Sequence, residues 1–294
     1  MKGVKLAIFL GITLVAAGAA FVGVAYATHS FKGAEIVTNE HKIESEFKNF
    51  DFDIDTANVE FVSTTEDSTK VTCIEKAKCT HEVSVVEDKL FIKTKDERKW
   101  YEKIFNFAWE EEKITIALPK SDYDNLKVEA STGNVKLNGF NFETVDLKIS
   151  TGNLYLSTLR TKSMNIKAST GNILLDKLEI NTKLYINAST GNIKLNDVKA
   201  ENVVLDASTG NILLTNVLAT NNITIDTSTG DVTFKDSDAT TLKVKCSTGN
   251  VRGNLLTPKT FHAKASTGKV NVPDTEGGDC TIETSTGNIN IEIK

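Results

Sequence analysis

Histidine is scarce in this chain, only His29, His41, His81 and His262, and no two of them stand at a metal-ligand spacing. Nucleophile elbows, phosphate loops and zinc signatures are missing too, so no catalytic, cofactor-binding or metal-binding residue is expected. No basic stripe exists either. The 34 Lys and Arg are interspersed among 39 Asp and Glu for a net charge of -5, which excludes nucleic acid as a partner. Prolines number three and tyrosines five, yet there are eighteen glycines. Nine of those glycines sit at one repeated position, so glycine here is architectural and not the filling of a flexible linker.

What is present is a period. Ser-Thr-Gly occurs nine times, starting at Ser131, Ser150, Ser169, Ser189, Ser208, Ser228, Ser247, Ser266 and Ser285, at intervals of 19 or 20 residues. Before each Ser the apolar residues alternate: Leu126, Val128, Ala130; Val145, Leu147, Ile149; Met164, Ile166, Ala168. Period two marks a strand with one buried face. After the motif the alternation resumes, as in Ile193 and Leu195 or Val232 and Phe234. A third apolar place recurs at Phe140, Leu159, Leu178, Val198, Val217 and Leu256, and the one-residue insertions fall in the stretch beyond it.

A unit of this size cannot bury its own apolar edge, whereas stacked units share one core. The expected fold is therefore all-β: a parallel β-solenoid (β-helix) with about 19–20 residues per coil, its coils spaced roughly 4.8 Å apart. The tight corner falls on the repeated glycines Gly133, Gly152, Gly171, Gly191, Gly210, Gly230, Gly249, Gly268 and Gly287, because a sharp turn often needs positive φ. Asn follows in seven units, at Asn134, Asn153, Asn172, Asn192, Asn211, Asn250 and Asn288, and stacked Asn side chains can hydrogen-bond along the rod. Asp231 and Lys269 are read as interruptions of that ladder. A calcium-binding roll would carry Gly-Gly-x-Gly-x-Asp units, which are absent. An ice-binding face is disfavoured because the repeated Thr lies in the corner.

Leu6 to Ala27 is a run of 22 uncharged residues behind Lys2 and Lys5. As a helix of roughly 33 Å it spans a bilayer core of about 30 Å. The lysines place the N-terminus in the cytoplasm and the rest of the chain outside. Ala25-Tyr26-Ala27 has the form of a secretory cleavage site, so the segment reads as an anchor or a signal. Either exports the protein. No cysteine near residue 28 offers a lipid attachment point, and the chain ends without an apolar tail. The organisation expected is 1–28 transmembrane anchor, 29–44 linker, 45–125 degenerate coils forming a cap, and 126–294 regular repeats.

Within the cap, Asp55-Thr56-Ala57-Asn58 is a worn copy of the corner. The segment "ERKWYEKIFNFAWEEEK" gathers Trp100, Tyr101, Phe105, Phe107 and Trp109, a candidate partner-contact loop or a plug over the solenoid end. Cys73 and Cys79 are close enough in sequence to form a hairpin disulfide. Cys246 and Cys280 are placed two coils apart and read as buried hydrophobes. The final strand leaves an edge through which the solenoid can self-associate, blunted by Glu292 and Lys294. The one acidic pair on adjacent coils, Asp206 and Asp226, is the only hint of a carbohydrate-active enzyme, and a solvated face explains it more simply.

The Ser-Thr-Gly-Asn repeat after a short apolar segment, with "ITIALPKSDYDNLKVEASTGNV" as the entry into regular coils, resembles the bacterial surface family known as "putative adhesin". That resemblance covers roughly residues 45–294. It implies a β-solenoid envelope protein with no catalytic residues, binding an envelope protein or surface glycan. A regulatory component of a cell-envelope stress response is the alternative it leaves open.

Overall fold

The computed structural model describes residues 35–99 and 111–294. The apolar run Leu6–Ala27 therefore lies outside the described residues, as does the aromatic segment from Trp100 to Trp109. Among the described residues every regular element is a strand, and no helix is long and apolar enough to cross a membrane.

The N-terminal strands are β1 (Ile36–Ile43), β2 (Asn49–Thr56), β3 (Asn58–Ser63), β4 (Thr69–Lys76), β5 (Cys79–Val86), β6 (Lys89–Asp96) and β7 (Lys113–Leu118). Then come β8 (Asp122–Thr132), β9 (Val135–Asn138) and β10 (Asn141–Thr151). Five long strands follow, β11 (Leu154–Thr170), β12 (Ile173–Thr190), β13 (Ile193–Thr209), β14 (Ile212–Thr229) and β15 (Val232–Thr248), each nearly a whole coil. The chain closes with β16 (Val251–Leu255), β17 (Lys259–Thr267), β18 (Val270–Asn271), β19 (Gly278–Thr286) and β20 (Ile289–Ile293).

In the long strands, alternation sends Ile173, Leu175, Leu178, Ile180, Leu184, Ile186 and Ala188 inward, and the same places stack from coil to coil. The extra residues of the longer coils sit where expected: Ile180 opposes Thr161 and Lys183 opposes Ser163, leaving two residues against one. One place differs from the sequence reading. Gly253 pairs with Phe234 at φ +129°, Asn254 alone then faces Lys235 and Asp236, and so Leu255, not Leu256, takes the third inward position opposite Ser237. At the N-terminal end the core turns aromatic, with Phe50 packed edge-to-face on Tyr123 (5.0 Å) and Phe142 (5.8 Å).

The Ser-Thr-Gly corner brings successive coils into close contact. Gly191 has φ +136°, and a Cβ there would lie 2.0 Å from the carbonyl oxygen of Gly171. The repeated glycines all share this left-handed region, with φ between +136° and +152°. The Asn behind each glycine builds a ladder: Asn192 donates from its backbone N–H (3.0 Å) and Nδ2 (3.2 Å) to Oδ1 of Asn172. Asn172 in turn donates to Asn153, and the row reaches back through Asn134 to Asn58. Asp231 does not interrupt it. Its carboxylate accepts from Asn250, while its own N–H donates to Asn211.

A second corner was not expected from the sequence. Five residues after the Asn position, Thr158, Lys177, Asp197, Asn216 and Asp236 all take φ between 49° and 55°. Non-glycine residues pay about 1–2 kcal/mol for this conformation. The corner persists because strands on both sides are locked in register.

Both ends of the rod depart from chain order. β19 pairs with β15 on one side and β17 on the other, so the last coil is inserted beneath the one that precedes it. Likewise β2 lies between β8 and β6, and β3 between β9 and β7, so the first coil is the second layer. Antiparallel strands finish this end: β4 on β7, β1 on β4, and β5 on β6. Residues 36–43, read as linker from the sequence, are therefore strand β1. The free edge at the other end is β17–β18; β20 pairs with β16 along its length and with β18 at its start.

A buried ion pair ties the exchanged layers. Lys259, 2% exposed, sends Nζ to Asp238 Oδ1 (2.6 Å), the Ala239 carbonyl (2.7 Å) and Thr257 Oγ1 (2.7 Å). It reaches from β17 to β15 over Gly278 of the intervening β19, where a Cβ would stand 3.6 Å from Nζ and 2.3 Å from the Thr240 carbonyl.

Two outcomes follow from these geometries. Gly191→Val should lower stability by about 3 kcal/mol or more in urea unfolding, whereas Gly139→Asn, with open space around it at φ +80°, should cost about 1 kcal/mol or less. A fully stable, correctly stacked Gly191→Val protein would refute the corner assignment. Lys259→Met strands a buried carboxylate, worth about 3–5 kcal/mol. Amide exchange should accelerate in β17, β19 and β20 while β11 to β13 stay protected; uniform protection throughout would contradict the clamp.

Candidate functional site

Outside the core, the most site-like feature is a groove along the second corner. One stretch of about 490 Å³ is lined by Gly139, Thr158, Lys177 and Asp197 of that corner with Arg160 and Glu179. A neighbouring stretch of about 540 Å³ runs on past Tyr123 and Glu143, and the two share Asn141, Arg160 and Glu179. The groove therefore crosses several coils.

Its floor is a register column. Asp122, Asn141, Arg160, Glu179 and Lys199 are successive partners across β8, β10, β11, β12 and β13. Asn141 donates from Nδ2 to Asp122 Oδ1 at 2.8 Å, and the carboxylate is held below its ordinary value by that bond and one from Ser121. Arg160 Nε meets Glu179 Oε2 at 2.9 Å, with both side chains more than half exposed. Such a pair contributes roughly 0–1 kcal/mol to stability, so its polar groups are cheaply available to a ligand. Signs alternate down the column, which leaves no strong net potential.

The acidic pair Asp206 and Asp226 does stack, as partners between β13 and β14. Tyr185 hydrogen-bonds to Asp206, and that carboxylate keeps the phenol above its ordinary value. Asp226 faces Lys245 of the next coil. These outward groups belong to the polar surface. The aromatic candidates Trp100, Tyr101, Phe105, Phe107 and Trp109 lie outside the described residues.

The structure corrects the cysteine pairing. Cys73 and Cys79 are both free, buried thiols. Burial pushes Cys73 up to about 12, with a smaller push from Glu75, and raises Cys79 as well. Cys246 and Cys280 are also free, but on adjacent strands and not two coils apart: Cys246 opposes Thr284 while Cys280 opposes Leu242. Four residues of offset separate them by roughly 13 Å along the strands, which still excludes a bridge. No metal-ligand spacing stands out along the chain, yet β4 and β5 bring ligand atoms of Cys73, Glu75 and His81 within 4.8 Å of one another. A signal was there: positions 73 and 75, then 79 and 81, alternate inward on both arms of one hairpin.

Coils of this length, stacked through a glycine corner, place the protein among β-solenoid domains. The chain belongs to the Toastrack DUF4097 family, whose model matches residues 47–182 and 178–294. Among solved structures it is similar to a "putative adhesin" from Bacteroides fragilis, at 16% identity and a TM-score of 0.49 over 88% of this chain and 97% of that one. A "putative lipid binding protein" from Parabacteroides distasonis is similar at 16% identity and TM-score 0.48, again over 88% and 97%. A further "putative adhesin", from Parabacteroides merdae, matches at 14% identity and TM-score 0.47 over 88% and 96%. A search of curated proteins gives no match.

With all four thiols buried, a disulfide reagent at neutral pH should titrate none of them in the native chain and all of them in denaturant. Loss of two thiols in the denatured, unreduced protein would restore the Cys73–Cys79 bridge.

Proposed function

We propose that this chain is a membrane-held, extracytoplasmic binding scaffold of adhesin type that engages a surface glycan through its groove and catalyses nothing. The observation that carries this reading is the column Asp122, Asn141, Arg160, Glu179 and Lys199, which sets donors and acceptors of alternating sign along an open groove over successive coils. A polyanion or polycation would meet as much repulsion as attraction there. An extended uncharged polyol would find hydrogen-bond partners at each rung, about 4.8 Å apart.

The 22-residue apolar run behind Lys2 and Lys5 supports a single-pass anchor in the cell membrane with the solenoid outside. Against catalysis stands the surface character of Asp206 and Asp226, each facing its own hydrogen-bonding or cationic neighbour. Self-association belongs to the same proposal, through the free edge at β17–β18, where Val270 is 43% exposed.

The test is binding of the full-length chain in detergent micelles to arrayed envelope glycans and wall polymers. Capture of a glycan, weakened at least 10-fold by the Arg160→Glu, Lys199→Glu double variant with unchanged circular dichroism, is the expected result, about 1.4 kcal/mol. Glycan binding indifferent to those substitutions would remove the groove. Capture of a membrane sensor protein and no glycan would replace adhesion with the stress-response reading.

A further inference from the structure

Regular coils line their interior with Leu, Ile, Val and Ala. The outermost layer at the β1 end departs from this. Cys73 and Glu75 occupy alternate inward places on β4, and His81 an inward place on β5; their exposures are 0%, 0% and 4%. The two strands share only the Lys76–Cys79 pairing before they part, β4 joining β1 and β7 while β5 joins β6. The three side chains thus lie inside the angle of an opening hairpin.

Glu75 is tightly held. Its Oε2 lies 2.7 Å from His81 Nδ1 and accepts from the His81 backbone N–H at 2.7 Å, while Oε1 accepts from Asn39 Nδ2 at 2.6 Å. These bonds to His81 and Asn39 hold the carboxyl below its ordinary value, against a burial penalty that pushes it up. His81 Nε2, by contrast, is buried with no hydrogen-bond partner. A buried nitrogen left unsatisfied is a standing cost to the fold, and strand pairing does not demand a histidine here.

We propose that Cys73, Glu75 and His81 form a binding site for a divalent transition-metal ion of the zinc class, which clasps β4 to β5 at the end of the rod. Thiolate, imidazole and carboxylate are the ligand types such an ion takes. Their donor atoms already lie within 4.8 Å of one another. Around a tetrahedral ion with bonds of about 2.0–2.3 Å, donors sit roughly 3.3–3.8 Å apart, so the wider separations close by about 1 Å while the 2.7 Å contact of Glu75 Oε2 with His81 Nδ1 opens by about as much to admit the ion. Binding breaks the Cys73 S–H bond: sulfur keeps the electron pair as a ligand, the proton passes to solvent, and the ion changes no oxidation state. The remaining coordination place falls to water or to a neighbouring side chain.

The deciding experiment is elemental analysis of the full-length chain purified without chelator, followed by cobalt(II) substitution. About one equivalent of zinc per chain is expected, with a near-ultraviolet thiolate-to-cobalt charge-transfer band after exchange. Cys73→Ser should abolish the band and weaken binding at least 100-fold, and His81→Gln should weaken it at least 10-fold; Cys246→Ser, on a distant coil, should change neither. Should Cys73→Ser misfold, the wild-type chain still decides: chelation should speed amide exchange across Thr69–Val86, and added zinc should reverse it. A chain without bound metal that also gives no cobalt band after refolding in cobalt overturns the site. So does a band indifferent to Cys73→Ser, or exchange across Thr69–Val86 indifferent to chelator.

Discussion

The rod depends on one close approach. At the Ser-Thr-Gly corner each coil passes the one below so nearly that a Cβ would overlap the neighbouring carbonyl oxygen, at 1.8–2.1 Å in the successive coils from Gly152 to Gly249. Only a residue without a side chain, held at positive φ, lets backbone stack on backbone there. With that corner closed, the strands on either side fall into register, their inward residues stack, and the Asn amides come within hydrogen-bonding distance. The hydrophobic core and the polar ladder are both consequences of this contact.

This explains which parts of the fold were legible. The corner admits one residue type, so it wrote itself into the sequence nine times, and the alternation around it disclosed the strands and the core. The second corner was harder to read because its residues vary: Asp197, Asn216 and Asp236, with Gly139 in the same place, are types that tolerate positive φ, but Thr158 and Lys177 are not, and packing holds those two there. The exchanged final coils were also hidden, since two coils of equal length carry the same pattern in either order. One residue did mark it. Lys269 is the only repeat residue at the Asn position whose side chain cannot accept a hydrogen bond, and it occupies the outermost layer, donating its N–H to Asn288 with nothing among the described residues stacked beyond.

Of the candidate sites, the groove could be found only once the second corner was known, because its floor residues are nineteen or twenty apart and chemically unlike. The Cys73, Glu75 and His81 cluster escaped a search for ligand spacing because it is assembled across a hairpin that opens. Period two alone would have placed these residues inward. Their convergence needed the knowledge that β4 and β5 part company and join different neighbours. Both features sit where the repeat is broken or bent, which is where a solenoid has freedom to vary without losing its stack.

The Asn ladder also gives the rod an electrical sense. Every rung donates in one direction and accepts in the other, so small dipoles add along the stack as peptide dipoles do along a helix. Its donor end, Asn58 Nδ2, points to the Glu111 carboxylate at 2.9 Å, and its acceptor end is closed by the N–H of a lysine, Lys269. Anion at the donating end and cation at the accepting end is the arrangement that stabilises a helix at its termini. The solenoid has arrived at the same polarity with side chains in place of main chain, and with it a defined last rung: Lys269 offers no side-chain acceptor to an Asn of a further coil, so the ladder stops there even though the strand edge stays free.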